Sequence, residues 1–105
     1  MRKVTFYIGQ GFNKAGQAIP QELIQSREQE AFVYLIETFG GFTALYGIGG
    51  FKNGEGGTVE PTTAIVVLTE ETDRSVENAG KHLREHFDQT EVVYTIEDAP
   101  QTFSI

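Results

Sequence analysis

Phe39-Gly-Gly-Phe-Thr-Ala-Leu-Tyr-Gly-Ile-Gly-Gly-Phe-Lys-Asn-Gly-Glu-Gly-Gly57 holds eight of the twelve glycines of a 105-residue chain, set among aromatic residues. Gly40-Gly41 stops whatever precedes it, and the run from Phe42 to Phe51 alternates like a strand. Asn53-Gly54 is a tight-turn signal, and Gly56-Gly57 predicts a longer glycine-rich reversal before the chain returns. The stretch therefore reads as helix end, strand and hairpin. In this strand Phe42, Ala44, Tyr46 and Ile48 share one face, and Thr43, Leu45 and Phe51 share the other.

Working outward, Thr58 to Leu68 reads as the returning strand, and its apolar run Ala64-Ile-Val-Val-Leu68 suits a central position. Pro61 cannot donate to a ladder, so the start of this strand is expected at an edge or bulge. Upstream, Val4, Phe6 and Ile8 alternate with Thr5 and Tyr7 as a half-buried strand. A polar connection, Gly9 to Gly16, follows; Phe12 and Lys14 could overhang a neighbouring pocket, but the composition of the connection favours a surface loop with one tucked aromatic. Leu23, Ala31, Phe32, Leu35, Ile36 and Phe39 recur at helical spacing, which predicts a helix over about Gln21 to Phe39. Its start has two readings: Pro20 suits the entry to a first turn, and Ser26-Arg-Glu-Gln29 reads as a capping box.

Downstream, Thr72-Asp73 caps a second helix with Val76, Ala79, Leu83 and Phe87 on one face. Small Ala79 and Gly80 would let it lie close to the sheet. Glu91 to Ile96 reads as a fourth strand, and Thr102 to Ile105 could add a short further strand or dock on a neighbouring subunit. Strand, helix, strand, strand, helix, strand is the split βαβ order of a ferredoxin-like α+β sandwich, one domain over residues 1–105. Two helices would cover one face of a four-stranded antiparallel sheet. The other face would present Thr5, Tyr7, Leu45, Phe51, Val93 and Thr95, a partly apolar surface suited to self-association or ligand binding.

Composition narrows the chemistry. There is no cysteine, which removes disulfides and thiolate catalysis together. Fifteen acidic against eight basic side chains give a net charge of −7, which opposes binding to nucleic acid or anionic lipid. The opening apolar run is too short for a signal-peptide core, and no segment approaches the roughly 20 apolar residues of a membrane span. A cytoplasmic protein is expected.

No catalytic signature emerges. His82 and His86 stand four residues apart on the second helix and could offer two metal ligands, but no further ligand cluster accompanies them. Glu70, Glu71 and Asp73 are explained by the dipole of the helix they precede. Gly47-Ile-Gly-Gly-Phe-Lys52 fails the dinucleotide fingerprint, because Lys52 stands where the third glycine belongs, and no Walker-type sequence follows. Amides from Gly47 to Gly50 with Lys52 could still hold an anion in a local nest. The expected binding residues are Tyr46, Gly47, Gly49, Gly50, Phe51, Lys52 and Asn53, with no catalytic residue, metal or cofactor.

The succession Phe39-Gly-Gly-Phe-Thr43, Gly47-Ile-Gly-Gly-Phe51, the Asn-Gly turn and Gly57-Thr-Val-Glu60 resembles a group of small uncharacterised proteins of bacteria and their phages. Thr43-Ala-Leu-Tyr-Gly-Ile-Gly-Gly-Phe51 is also similar, more distantly, to the loop-bearing strand of nitrogen-regulatory signal proteins. Those are ferredoxin-like trimers with nucleotides in their inter-subunit clefts, although this chain lacks their long recognition loop and basic phosphate-binding cluster. The resemblance implies an assembly with a ligand site near this strand, and the reading preferred for the chain is a non-enzymatic binding or regulatory module, self-associating as a dimer or trimer. A phage-encoded version would work in the host cytoplasm as an antagonist of defence, by docking on a basic protein or by trapping a small nucleotide signal. The competing class is a small monooxygenase or isomerase using Tyr7, Tyr46, His82 or His86, and a pocket joining a Tyr to a His would mark it.

Overall fold

In the computed structural model, which describes residues 1–98 and 101–105, the chain runs β1 (Arg2–Gly9), α1 (Gln21–Phe39), β2 (Thr43–Asn53), β3 (Gly56–Thr69), α2 (Asp73–His86) and β4 (Val93–Asp98). The strands form one sheet in the order β2-β3-β1-β4, and every neighbouring pair is antiparallel. This is the ferredoxin-like α+β arrangement.

The alternation of the strands sorts their side chains into two faces. Val4, Phe6, Ile8, Ile65 and Val67 are buried against Ala31 and Leu35 of α1 and Val76, Ala79 and Leu83 of α2. On the other face, register aligns Leu45, Ala64, Tyr7 and Val93 in one row across all four strands, and Thr43, Val66, Thr5 and Thr95 in the next. The open face is thus the one the alternation predicts, and it keeps Tyr7, Leu45, Phe51 and Val93 exposed.

α1 is continuous from Gln21, so the turn at Ser26 to Gln29 lies inside the helix rather than at its start. Pro20 caps it in an extended conformation, and Gly40 closes it at φ 83°, donating its N–H to the Ile36 carbonyl at 2.8 Å. At α2, the Thr72 hydroxyl accepts from the Ser75 amide at 3.2 Å, and Arg2 pairs with Asp73. Gly80 lies over Phe6 and Tyr94, whose rings stand 5.8 Å apart.

Two boundaries differ from the sequence expectation. The reversal is a two-residue turn, Gly54-Glu55, with Gly54 at φ 56°, and Gly56 and Gly57 already pair with Asn53 and Lys52 in β3. Their glycines extend the ladder because a twisted hairpin closes best on a short turn. β4 starts at Val93, two residues late, because Asp88 at φ 51° and the following polar residues extend the turn. Pro61, expected at an edge or bulge, sits in an unbroken β2–β3 register and on an edge. Its carbonyl accepts from the Gln10 amide at 2.8 Å, so its missing N–H faces the side where the β1 ladder has already ended at Gly9. Residues 101–105 lie outside the four strands and are exposed. Among the described residues, no helix is long and apolar enough to cross a membrane.

Candidate functional site

β2 and β3 outrun β1, because β1 ends opposite Thr62 while the hairpin continues through Asn53 and Gly56. The projecting arm, the β1–α1 loop and the α2–β4 turn enclose a cleft of ≈ 600 Å³ on the open face of the sheet. That volume suits a small organic ligand. Tyr7, Phe12, Phe51 and Val93 supply its apolar lining, and Glu60, Gln89, Asn53 and Thr62 supply polar groups.

The floor depends on glycine. A Cβ at Gly9 would overlap the Glu60 carboxylate, and one at Gly11 would lie 2.6 Å from the Glu60 Cβ. Because both positions lack side chains, the half-buried Glu60 lies flat across the end of β1. Gly49, opposite Glu60 on β2, makes room in the same way for Thr62. The Glu60 backbone carbonyl accepts from Thr62 Oγ1 at 3.3 Å. Among the described residues the Glu60 carboxylate has no hydrogen-bond or ion-pair partner.

The overhanging wall is held from two sides. Asn13 accepts the amides of Ala15 at 3.0 Å and Gln17 at 2.9 Å, an Asx-type closure completed by Gly16 at φ 79°. The Lys14 amide donates to the Asp88 carbonyl at 2.7 Å, and Gln89 Nε2 donates to the carbonyls of Phe12 at 2.9 Å and Phe87 at 3.2 Å. Lys14 Nζ lies 3.8 Å from Glu85 and 3.7 Å from Asp88, so the cation of the lining is turned toward α2. Glu60 and Glu91 leave the cleft acidic.

Of the residues singled out in the glycine-aromatic stretch, Gly49, Gly50, Phe51 and Asn53 line this cleft, whereas Tyr46, Gly47 and Lys52 do not. Tyr46 projects to the helix side, where its hydroxyl donates to Glu28 Oε2 at 2.7 Å. That bond, followed by burial and the nearby Glu28 charge, raises the Tyr46 pKa above its ordinary value. Gly47 to Gly50 run as regular paired strand, and none of them has a left-handed φ. Lys52, one residue on from Phe51, projects to the opposite face.

His82 and His86 lie apart from the cleft. The His82 ring stacks on Tyr34 with centroids 3.8 Å apart and on His86 at 6.0 Å, and His86 Nε2 meets the Arg27 carbonyl at 2.7 Å. Burial, then the neighbouring His86, lowers the His82 pKa. The cleft thus contains a tyrosine, Tyr7, but neither histidine. Phe12 and Lys14 both lie in the lining, whereas the loop's composition favours a plain surface loop with one tucked aromatic. Glu60 and Gln89 escape a sequence reading. The available signal is an acid on the Thr58, Glu60, Thr62 face of a strand, next to a proline.

No protein-family model and no curated protein matches the chain. Among solved structures, a phage SAM lyase in complex with S-methyl-5'-thioadenosine is similar at 18% identity and a TM-score of 0.59, covering 92% of this chain and 80% of that one. A phage SAM lyase in the apo state gives 17% identity and 0.56, covering 91% and 78%. A DUF3240 family protein from Shewanella baltica OS155 gives 14% identity and 0.53, covering 99% and 96%. At these identities, what the three have in common with this chain is the ferredoxin-like fold.

Proposed function

We propose that the protein is a small binding module that captures a nucleoside-type ligand, of the adenosine thioether class, in the open-face cleft. The observation that carries this reading is the Glu60 carboxylate, laid over Gly9 and Gly11 without a partner among the described residues, in a cleft also lined by Tyr7, Phe12 and Phe51. Aromatic faces beside a fixed acceptor suit a base and its sugar, since rings stack on bases and an acid accepts from ribose hydroxyls. The likeness in fold to a chain that holds S-methyl-5'-thioadenosine supports the choice of class. In a phage setting such a module acts by withdrawing a small host molecule, and a docking role on a basic protein is the lesser alternative.

Self-association belongs to the same reading. β2 is an 11-residue edge strand with no charged residue from Thr43 to Phe51, and Leu45, Tyr46 and Ile48 are exposed on it. Such an edge lacks the charges and prolines that usually keep edges apart. Native mass spectrometry is expected to show a dimer or trimer, and a monomer at all concentrations would remove this part.

Isothermal titration with S-methyl-5'-thioadenosine and S-adenosylmethionine tests the ligand. Saturable binding by the wild type and its loss in Glu60→Ala is the expected result, and no heat with either compound would overturn the reading. A second reading, an enzyme acting on S-adenosylmethionine, is favoured by the placement of Tyr7 and Glu60 in one cleft. Chromatographic detection of S-methyl-5'-thioadenosine from S-adenosylmethionine, lost in Glu60→Gln, would establish it over simple capture.

A further inference from the structure

Two acceptors converge above the main chain at Gly9. One is the Glu60 carboxylate, which occupies the space of a Gly9 side chain. The other is Gln89 Oε1, which lies 3.4 Å from the position a Gly9 Cβ would take. The orientation of the Gln89 amide is unambiguous, because both partners of its Nε2 are carbonyls, those of Phe12 and Phe87. Its oxygen is thereby held toward the cleft. Lys14, the cation of the lining, stands near Glu85 and Asp88 instead. A charged and a neutral acceptor side by side are complementary to a ligand presenting two adjacent O–H donors.

We infer that Glu60 and Gln89 form a paired-acceptor seat for the cis-diol of a ribose, Glu60 taking one hydroxyl and the Gln89 carbonyl the other. This rests on the nucleoside reading of the cleft and makes it specific: the sugar is read as ribose, and the base is left to the rings of Tyr7, Phe12 and Phe51. The Gln89 side chain has a double task, since the amide that presents the acceptor also ties Phe12 in place.

The test is calorimetric titration of the full chain with adenosine, 2'-deoxyadenosine and 3'-deoxyadenosine, repeated on Glu60→Gln. Removal of either hydroxyl should weaken binding by roughly tenfold or more, because each deletion leaves a polar group of the seat unpaired. In Glu60→Gln an amide N–H can turn to the Gln89 oxygen and close the seat, so adenosine should bind weakly and the deoxy analogues no worse than adenosine. Thermal melts of the variant confirm that the fold persists. If all three nucleosides bind equally to the wild type, the seat is overturned while the nucleoside reading stands. Hydroxyl discrimination that survives in Glu60→Gln overturns the assignment of Glu60. If no nucleoside binds at all, the parent reading fails and the ribose seat fails with it.

Discussion

Tyr46 and Glu28 are joined by a 2.7 Å hydrogen bond that ties the edge strand β2 to the middle of α1. Tyr46→Phe keeps the ring and removes the donor, leaving a nearly buried Glu28 without this partner. A loss of about 1 kcal/mol of stability is expected, measured by urea unfolding. Because the folded state raises the Tyr46 pKa, the contribution is present below the ordinary tyrosine value of 10.0 and is lost as pH rises through the folded value. The stability difference between wild type and Tyr46→Phe should therefore shrink at strongly alkaline pH, and a difference that grows there would contradict the assignment.

Gly9→Ala addresses the floor of the cleft. The atom that the new methyl meets is the end of a flexible Glu60 side chain, so the carboxylate can swing away without unfolding the sheet. Ligand affinity should fall about as far as in Glu60→Ala, with a melting temperature within a few degrees of wild type. Retained affinity would show that the ligand does not use the carboxylate in this position.

Gly80→Ala should stabilise the protein. A methyl at this position would meet Phe6 and Tyr94 at 3.6 Å, an ordinary packing distance, and the site is interior to α2. Helix propensity and unfolded-chain entropy then both favour alanine, by roughly 0.5–1 kcal/mol. A lower melting temperature would mean that α2 cannot absorb the added contact.

His82 should make stability fall in mild acid. Its folded pKa is lowered, so its contribution is present above the ordinary value of 6.5 and is lost progressively as pH falls from 6.5 toward the folded value. Comparing urea unfolding at pH 7.5 and 5.5, wild type should lose more stability than His82→Gln. Equal losses would place the pH dependence on the carboxylates.

Phe51→Ala and Lys52→Ala should separate, since Phe51 lines the cleft and Lys52 does not. Only Phe51→Ala should weaken nucleoside binding measurably in calorimetry. An equal effect of Lys52→Ala would move the site to the other face of the hairpin.

The sandwich was legible because it rests on local periodicity. Val4, Phe6 and Ile8 alternate, Ala31, Leu35 and Phe39 repeat at helical spacing, and the Phe-Gly-Gly stop is a backbone device that works wherever it is placed. A minor part of the lining was legible as well, in Gly49, Gly50, Phe51 and Asn53, since glycine among aromatics marks a surface open to approach. Glu60 and Gln89 were not, because their roles are set by register and distance. Glu60 matters only once β1 ends beside it at two glycines, and Gln89 only once the turn after α2 meets Phe12. Tyr46 was grouped with the glycines that follow it, whereas strand alternation turns its side chain to Glu28, away from the cleft.

The cleft draws its walls from three remote parts of the chain: the end of β1 with its loop, the β2–β3 arm, and the turn after α2. Such a site has no existence in a half-folded chain, since releasing any one segment dismantles it. Occupancy is thus thermodynamically linked to the whole molecule, and a ligand at one hundred times its dissociation constant would add about 2.7 kcal/mol to global stability. A melting curve taken with and without S-methyl-5'-thioadenosine therefore reads occupancy of the cleft without any label.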